Sequence, residues 1–326
     1  MVDGSTRSVT AKEGGNETFT TDFILLGLFP NMKYVCILIH TIILIYLAAV
    51  TGNFTLLLLI WMDLRLHTPM YFLLSQLSLI DLALISSTVP KMAISFFSGR
   101  RNITHLACGA QIFFFFTLGG AECILLTLMA YDRYVAVCNP LRYAVIMNQG
   151  VCVQMAIVSW IGGILASTAH TIYTMNIPIC GSREIHHFFC EMPAIMKISC
   201  TDTATYELVV FVMGIAFIVI PFGLIMTSYT LIFLTVLHLK SLKGGRKALA
   251  TCTSHLMVVS FYLGPCVYMY MTPGSSHTPE QEQAVSVFCT VLTPMLNPLI
   301  YSLRNKDVLE ALQKVLGKHP VIQQNT

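Results

Sequence analysis

Asp132 and Arg133 stand side by side near the end of an apolar run that already carries Glu122. Residues of these types suit three chemistries: the acid and base of an enzyme, a loop salt bridge, or an ionic latch at the edge of a membrane. At 100° per residue, the step from Glu122 to Arg133 returns to within about 20° of one helical face after three turns. An ionisable group in a membrane span normally faces the protein interior, so the face shared with Phe115, Gly119, Leu126 and Met129 is expected to point inward. Asp81 is a second carboxylate inside an apolar run, and Asn53 and Asn297 lie in two others. Two acids and two amides at similar depth suit a sodium ion or a shared proton; neutral, hydrogen-bonded groups are the plainer alternative.

Other candidates are weaker. "HHFFCE", residues 186–191, gathers ligand types that suit a transition metal, but a cysteine held in a disulfide offers no thiolate. Phe115 above Gly119 and Phe116 above Gly120 pair a ring with a missing side chain, a pattern that leaves room for a cavity and is more often plain packing. No hydrolase elbow, zinc-binding helix or phosphate loop is present, and the basic residues carry no interleaved aromatics for nucleic acid. The chain is therefore not expected to be an enzyme, and Asp132 and Arg133 lack catalytic partners.

The elements that position these residues follow from composition. The 326 residues are 55% hydrophobic and 11% charged, where a soluble domain has about 25% charged. Seven apolar runs, 34–60, 71–90, 106–131, 151–170, 208–239, 248–272 and 284–303, are long enough to cross a bilayer as helices, which takes about 20 residues each. Lys and Arg favour one set of connections, with Arg65, Arg133, Arg142, Lys240, Lys243, Arg246, Lys247, Arg304, Lys306, Lys314 and Lys318 inside if the N-terminus is outside. Arg100 and Arg101 run against that bias. Residues 1–33 are expected as an outer segment whose first span serves as an uncleaved anchor, with Asn16 in Asn16-Glu17-Thr18 as a glycosylation acceptor. Residues 34–303 form the membrane domain, and 304–326 an inner tail.

Pro221, Pro265, Pro294 and Pro298 punctuate spans five to seven and permit bends. The connection 171–207 exceeds the few-residue norm, which marks functional or disordered loops. Cys108, Cys180, Cys190 and Cys200 fall outside, where disulfides form, and allow three pairings. After span seven, 304–316 carries Val308, Leu309, Leu312, Val315 and Leu316 on one stripe, as an interfacial helix does.

Seven ordered segments then converge: "GN" at 52–53, "LHTPMYFLLSQLSLIDL" at 66–82, "MAYDRYVAVCNPLRY" at 129–143, "HFFCE" at 187–191, "SY" at 228–229, "KALATCTSHL" at 247–256 and "PMLNPLIYSLRN" at 294–305. Together they resemble the olfactory receptors, a family of rhodopsin-like (class A) G-protein-coupled receptors, over nearly the whole chain. Trp160, Pro221 and Pro298 match the family's helix landmarks. The resemblance implies an all-α seven-helix bundle in the plasma membrane, in olfactory cilia. It implies disulfides Cys108–Cys190 and Cys180–Cys200, a polar site at Asp81 and Glu122, and a coupling end built from Asp132, Arg133, Tyr134, Tyr229, His255, Asn297 and Tyr301, with the Asp132 and Arg133 pair expected as a latch at the membrane edge. The family's Phe-Tyr-Gly is replaced here by Tyr262-Leu263-Gly264, so a pocket-floor hydroxyl carried by that tyrosine in relatives does not carry over.

The implied function is binding of a small, mainly apolar volatile and activation of a stimulatory heterotrimeric G protein that raises cyclic AMP. The expected pocket lies in the outer half of the bundle, lined by Phe115, Phe116, Gly119, Met213, Phe217, Tyr270, Val287 and Thr290 beneath Phe188, with Thr290 placed two turns above Asn297 on its helix face. No cofactor is expected beyond a sodium ion or proton at Asp81 and Glu122. The alternatives are a class A receptor for a non-odorant ligand and, less favoured by the apolar inward candidates, an ion-conducting or transport protein.

Overall fold

A computed structural model describes residues 22–30, 32–200, 204–238, 242–271, 277–303 and 305–316. Among the described residues, seven helices are long and apolar enough to cross a membrane. They are α1 (Val35–Met62), α2 (Pro69–Ser98), α3 (His105–Cys138) and α4 (Gln149–Met175). After them come α5 (Ala204–Gly214 continuing through Ile215–Val219 into Ile220–His238), α6 (Leu242–Met271) and α7 (Pro279–Val287 continuing through Phe288–Leu292 into Thr293–Leu303). An eighth helix, α8 (Lys306–Val315), follows. The glycosylation acceptor expected at Asn16 lies outside the described residues.

Polar side chains fix the helix starts where the chain leaves hydrocarbon. Thr104 accepts from the Ala107 N–H at α3, Asn148 from Val151 at α4, and Asn305 from Asp307 at α8. Thr278 and Gln281 form a reciprocal capping box at α7. Gly99 closes α2 with φ 68°, a conformation that suits a residue without a side chain. Helix α3 runs through the centre of the bundle. Its approach to α4 depends on glycine, since a Cβ on Gly163 would stand 2.8 Å from the Ala121 nitrogen and one on Gly120 would stand 3.1 Å from the Gly163 Cα. Small residues at such crossings allow close backbone packing where lipid supplies no hydrophobic drive.

The prolines free carbonyls that other helices use. Pro221 has no N–H for the Phe217 carbonyl, which instead accepts from the Cys123 thiol at 2.7 Å. Pro298 likewise leaves the Pro294 carbonyl to Asn53, whose Nδ2 donates to it at 2.8 Å. Just before Pro221 and spanning the approach to Pro294, α5 and α7 widen into π turns at Ile215–Val219 and Phe288–Leu292. A π turn holds an extra residue and shifts the face of everything beyond it.

The outer end is capped by a three-stranded sheet in the order β2-β1-β3. Strand β1 (Phe23–Leu25) pairs antiparallel with β2 (Asn102–Ile103) and parallel with β3 (Glu184–Ile185). Gln283 of α7 joins the same cap: its Oε1 accepts from the Phe29 N–H at 2.8 Å and its Nε2 donates to the His186 carbonyl at 2.9 Å. Cys108 is bonded to Cys190 and Cys180 to Cys200, with Cα–Cα separations of 5.4 Å. At the inner end, Arg65 bridges Asp63 at 2.8 Å and Glu310 of α8 at 3.2 Å. The guanidinium holds the Asp63 carboxyl down to about 2. Val308 and Ala311 of α8 are buried against the bundle.

Candidate ligand cavity and coupling end

A cavity of about 1070 Å³, counted with the open space at its mouth, lies among α3, α5, α6 and α7. Phe115, Phe116, Gly119, Met213, Phe217 and Tyr270 line it. Three expected lining residues do not. Phe188 is 2% exposed and packs toward α1 and α2 with Leu28 and Ile39, because the Cys190 disulfide turns the loop so that Glu191 and Met192 hang over the cavity instead. Val287 packs with the same outer cluster. Thr290 is fully buried and donates to the Ser286 carbonyl at 2.7 Å. The placement of Thr290 by counting turns from Asn297 crosses the π turn of α7, which changes the phase. Ser286, Cys289 and Thr293 face the cavity in its place.

The floor carries the hydroxyl that the altered Phe-Tyr-Gly segment left unplaced. Tyr262, one position before the family's tyrosine, donates to the Gly119 carbonyl at 2.6 Å and lines the cavity, while Leu263 packs in the core. His170 stacks on Phe116 with centroids 4.7 Å apart. In the roof, Glu191 is 3% exposed. Its Oε2 accepts from the Ser286 hydroxyl at 2.8 Å and lies 3.1 Å from His187 Nε2, without hydrogen-bond alignment. The Tyr270 hydroxyl reaches Oε1 only at 3.5 Å. Burial pushes the Glu191 carboxyl up to about 7 and the His187 imidazole down to about 3.

Asp132 and Arg133 lie within α3, which runs to Cys138 rather than ending near Tyr131. They form no ion pair with each other, a correction to the expected latch: neighbours on a helix do not face each other. Asp132 is 1% exposed and accepts from the Tyr143 hydroxyl of the inner loop at 2.7 Å. Arg133 is buried, and its Nε has no hydrogen-bond partner. Close enough to feel its charge are Tyr229, whose hydroxyl lies 2.6 Å from His255 Nδ1, and Tyr301, whose hydroxyl has no hydrogen-bond partner. Tyr134 is partly buried against the core.

A family model described as olfactory receptor matches residues 42–319. The chain belongs to the olfactory receptor family. Among its relatives in Homo sapiens, Olfactory receptor 2T27 is 52% identical over 306 residues, covering 94% of this chain and 96% of the relative. Olfactory receptor 2M2 is 51% identical, covering 93% and 87%, and Olfactory receptor 2T2 is 53% identical, covering 92% of each. The olfactory receptor is thus a multi-pass membrane protein of a G-protein-coupled, non-enzymatic family.

A buried polar cluster brings together Asn53 of α1, Asp81 of α2, Glu122 of α3 and Asn297 of α7. Asn297 donates through Nδ2 to both oxygens of Asp81 at 3.1 Å, and Asn53 donates to the Ala49 and Pro294 carbonyls. Glu122 Oε1, Asn53 Oδ1 and Asn297 Oδ1 are buried without hydrogen-bond partners. Unpartnered oxygens beside two acids suit a hard monovalent cation or a proton. The residues of "HHFFCE", already a weak metal candidate, do not converge on one point. Cys190 is in a disulfide, His187 faces Glu191, and His186 points outward.

Proposed function

We propose that this receptor binds a small, mainly apolar volatile in the cavity among α3, α5, α6 and α7 and activates a stimulatory G protein, raising cyclic AMP. The observation that carries the reading is a largely apolar cavity roofed by a loop that a disulfide ties to α3, standing above a buried arginine at the inner end of the same helix. A ligand burying roughly 250 Å² of apolar surface gains about 6 kcal/mol. Association costs then leave modest affinity. The ligand shifts the bundle toward signalling only by binding that form better.

The relay runs through α6. Its Tyr262 is bonded to α3 at the cavity floor, Pro265 lies just above, and His255 sits beside Arg133 below. A ligand that displaces Tyr262 releases α6 to swing about Pro265 and uncovers Arg133 for the G protein. The unpartnered oxygens near Asp81 take a sodium ion or proton in the resting form. Expression with an olfactory-type stimulatory G protein, followed by cyclic AMP readings across diverse volatiles, tests the reading. A response lost in a surface-matched Arg133→Ala variant is expected; silence despite surface expression, or an unchanged response in that variant, overturns it.

A further inference from the structure

The cavity's electrostatics narrow the ligand class. Among the described residues lining it, Glu122 and Glu191 carry acid groups, and no lysine or arginine does. His170, the lining imidazole, is largely buried and stacked on Phe116. Glu191 has no lysine or arginine in hydrogen-bond contact; the charge of Lys197 reaches it only at a distance and is offset by the Glu282 carboxylate. Lys197, beyond the helical turn Met192–Met196, lies 2.7 Å from both carboxylate oxygens of Glu282 and is committed there. His187 in the roof is neutral near pH 7, because burial pushes it to about 3. From α7 and α6 the groups in contact are the Ser286 and Tyr270 hydroxyls, and the Glu282 carboxylate of α7 adds a second negative charge nearby.

Those donors leave capacity on the cavity side. A carboxylate accepts about four hydrogen bonds. Ser286 and the unaligned His187 contact face Oε2, whereas Oε1 has the Tyr270 hydroxyl at 3.5 Å, too long for a strong bond. A buried acid with an open acceptor, in a cavity lacking positive charge, is complementary to a positively charged donor. An anion would meet two acids and no lysine or arginine in the lining.

We propose that Glu191 anchors the polar end of the ligand, and that the receptor selects apolar molecules ending in an alkylammonium group over the carboxylates of the same skeleton. This rests on the odorant reading above. The ammonium donates to Oε1 while its chain lies along Phe115, Phe116 and Phe217. A hydrogen bond between charged groups contributes about 1.5–3 kcal/mol, which corresponds to roughly 10- to 150-fold in half-maximal concentration.

The test uses hexylamine, 1-hexanol and hexanoate on the full-length receptor, read both as cyclic AMP in cells and as thermal shifts of detergent-purified protein. In the parent, hexylamine should act at a concentration at least about tenfold lower than hexanoate. In Glu191→Gln, its half-maximal concentration should rise about tenfold or more, with that for hexanol moving less than about threefold. Glu191→Asp, quantified at the surface alongside it, should retain part of the preference for the amine and so separates loss of charge from loss of folding. Equal potency of amine and carboxylate in the parent, or an unchanged amine response in Glu191→Gln, overturns the proposal. A hexanol response without a hexylamine response overturns it and leaves the odorant reading standing. Silence to these probes and to the wider volatile panel, in both assays, removes both.

Discussion

Single hydroxyls and acids set the receptor's restraints. The bond from Tyr262 to the Gly119 carbonyl ties α6 to α3 beside the cavity. Its net worth is about 1 kcal/mol, so Tyr262→Phe should raise ligand-free cyclic AMP up to about fivefold at matched surface level; an unchanged baseline removes Tyr262 from the restraint. At the inner end the carboxylate of Asp132 is held by Tyr143 rather than by Arg133. Asp132→Asn and Tyr143→Phe should therefore raise basal signalling alike, and a rise confined to Asp132→Asn would mean the loop contact does not restrain the receptor. The roof acids and bases give a pH signature. Glu191 is held up at about 7 from an ordinary 4.5, so the fold keeps a proton that the unfolded chain releases, and stability falls as pH rises from 4.5 through 7. His187 is held down at about 3 from 6.5, so its contribution rises with pH from 3 to 6.5. The slopes oppose between those limits. Melting curves of Glu191→Gln should therefore climb more steeply with pH between about 4.5 and 6.5 than those of the parent, and parallel curves would count against the assigned environments.

At the scale of elements, the spans were legible because a long apolar run has one economical fate in a bilayer. The contact between Asp81 and Asn297 was foreshadowed too, since polar groups buried in hydrocarbon must find one another. Thr290 and Val287 were misplaced because no periodicity in the sequence announces the π turn at Phe288–Leu292, and one inserted residue rotates the whole outer half of α7. Glu191 stood in a quoted motif, yet its hydroxyl partner Ser286 lies far along the chain, beyond the reach of spacing arguments. The α3–α4 crossing gives an element-scale prediction. Branched carbons at Gly163 would collide with the α3 backbone near Ala121, so Gly163→Val should deplete surface receptor several-fold, by an overpacking cost of about 1–3 kcal/mol. Normal surface levels would show that the helices can separate there.

For the whole molecule, the cap makes residues 22–30 part of the fold. Phe23, Leu25 and Leu28 are buried, which no alternation in a three-residue strand could reveal. Gln283→Ala would strip the Phe29 N–H and the His186 carbonyl of partners, at about 1–3 kcal/mol each when left unmet. The melting temperature should fall by several degrees without altering G-protein contacts; no change would mean that the cap is held by the sheet alone. The strand pairing also dictates an order of manufacture. Strand β1 leaves the ribosome first, but its partners at Asn102–Ile103 and Glu184–Ile185 follow much later. At about 5–20 residues per second, roughly ten to thirty seconds separate β1 from β3. During that interval the apolar strand has no sheet partner, and the Cys108–Cys190 bond forms only after Cys190, beyond the last strand, is made.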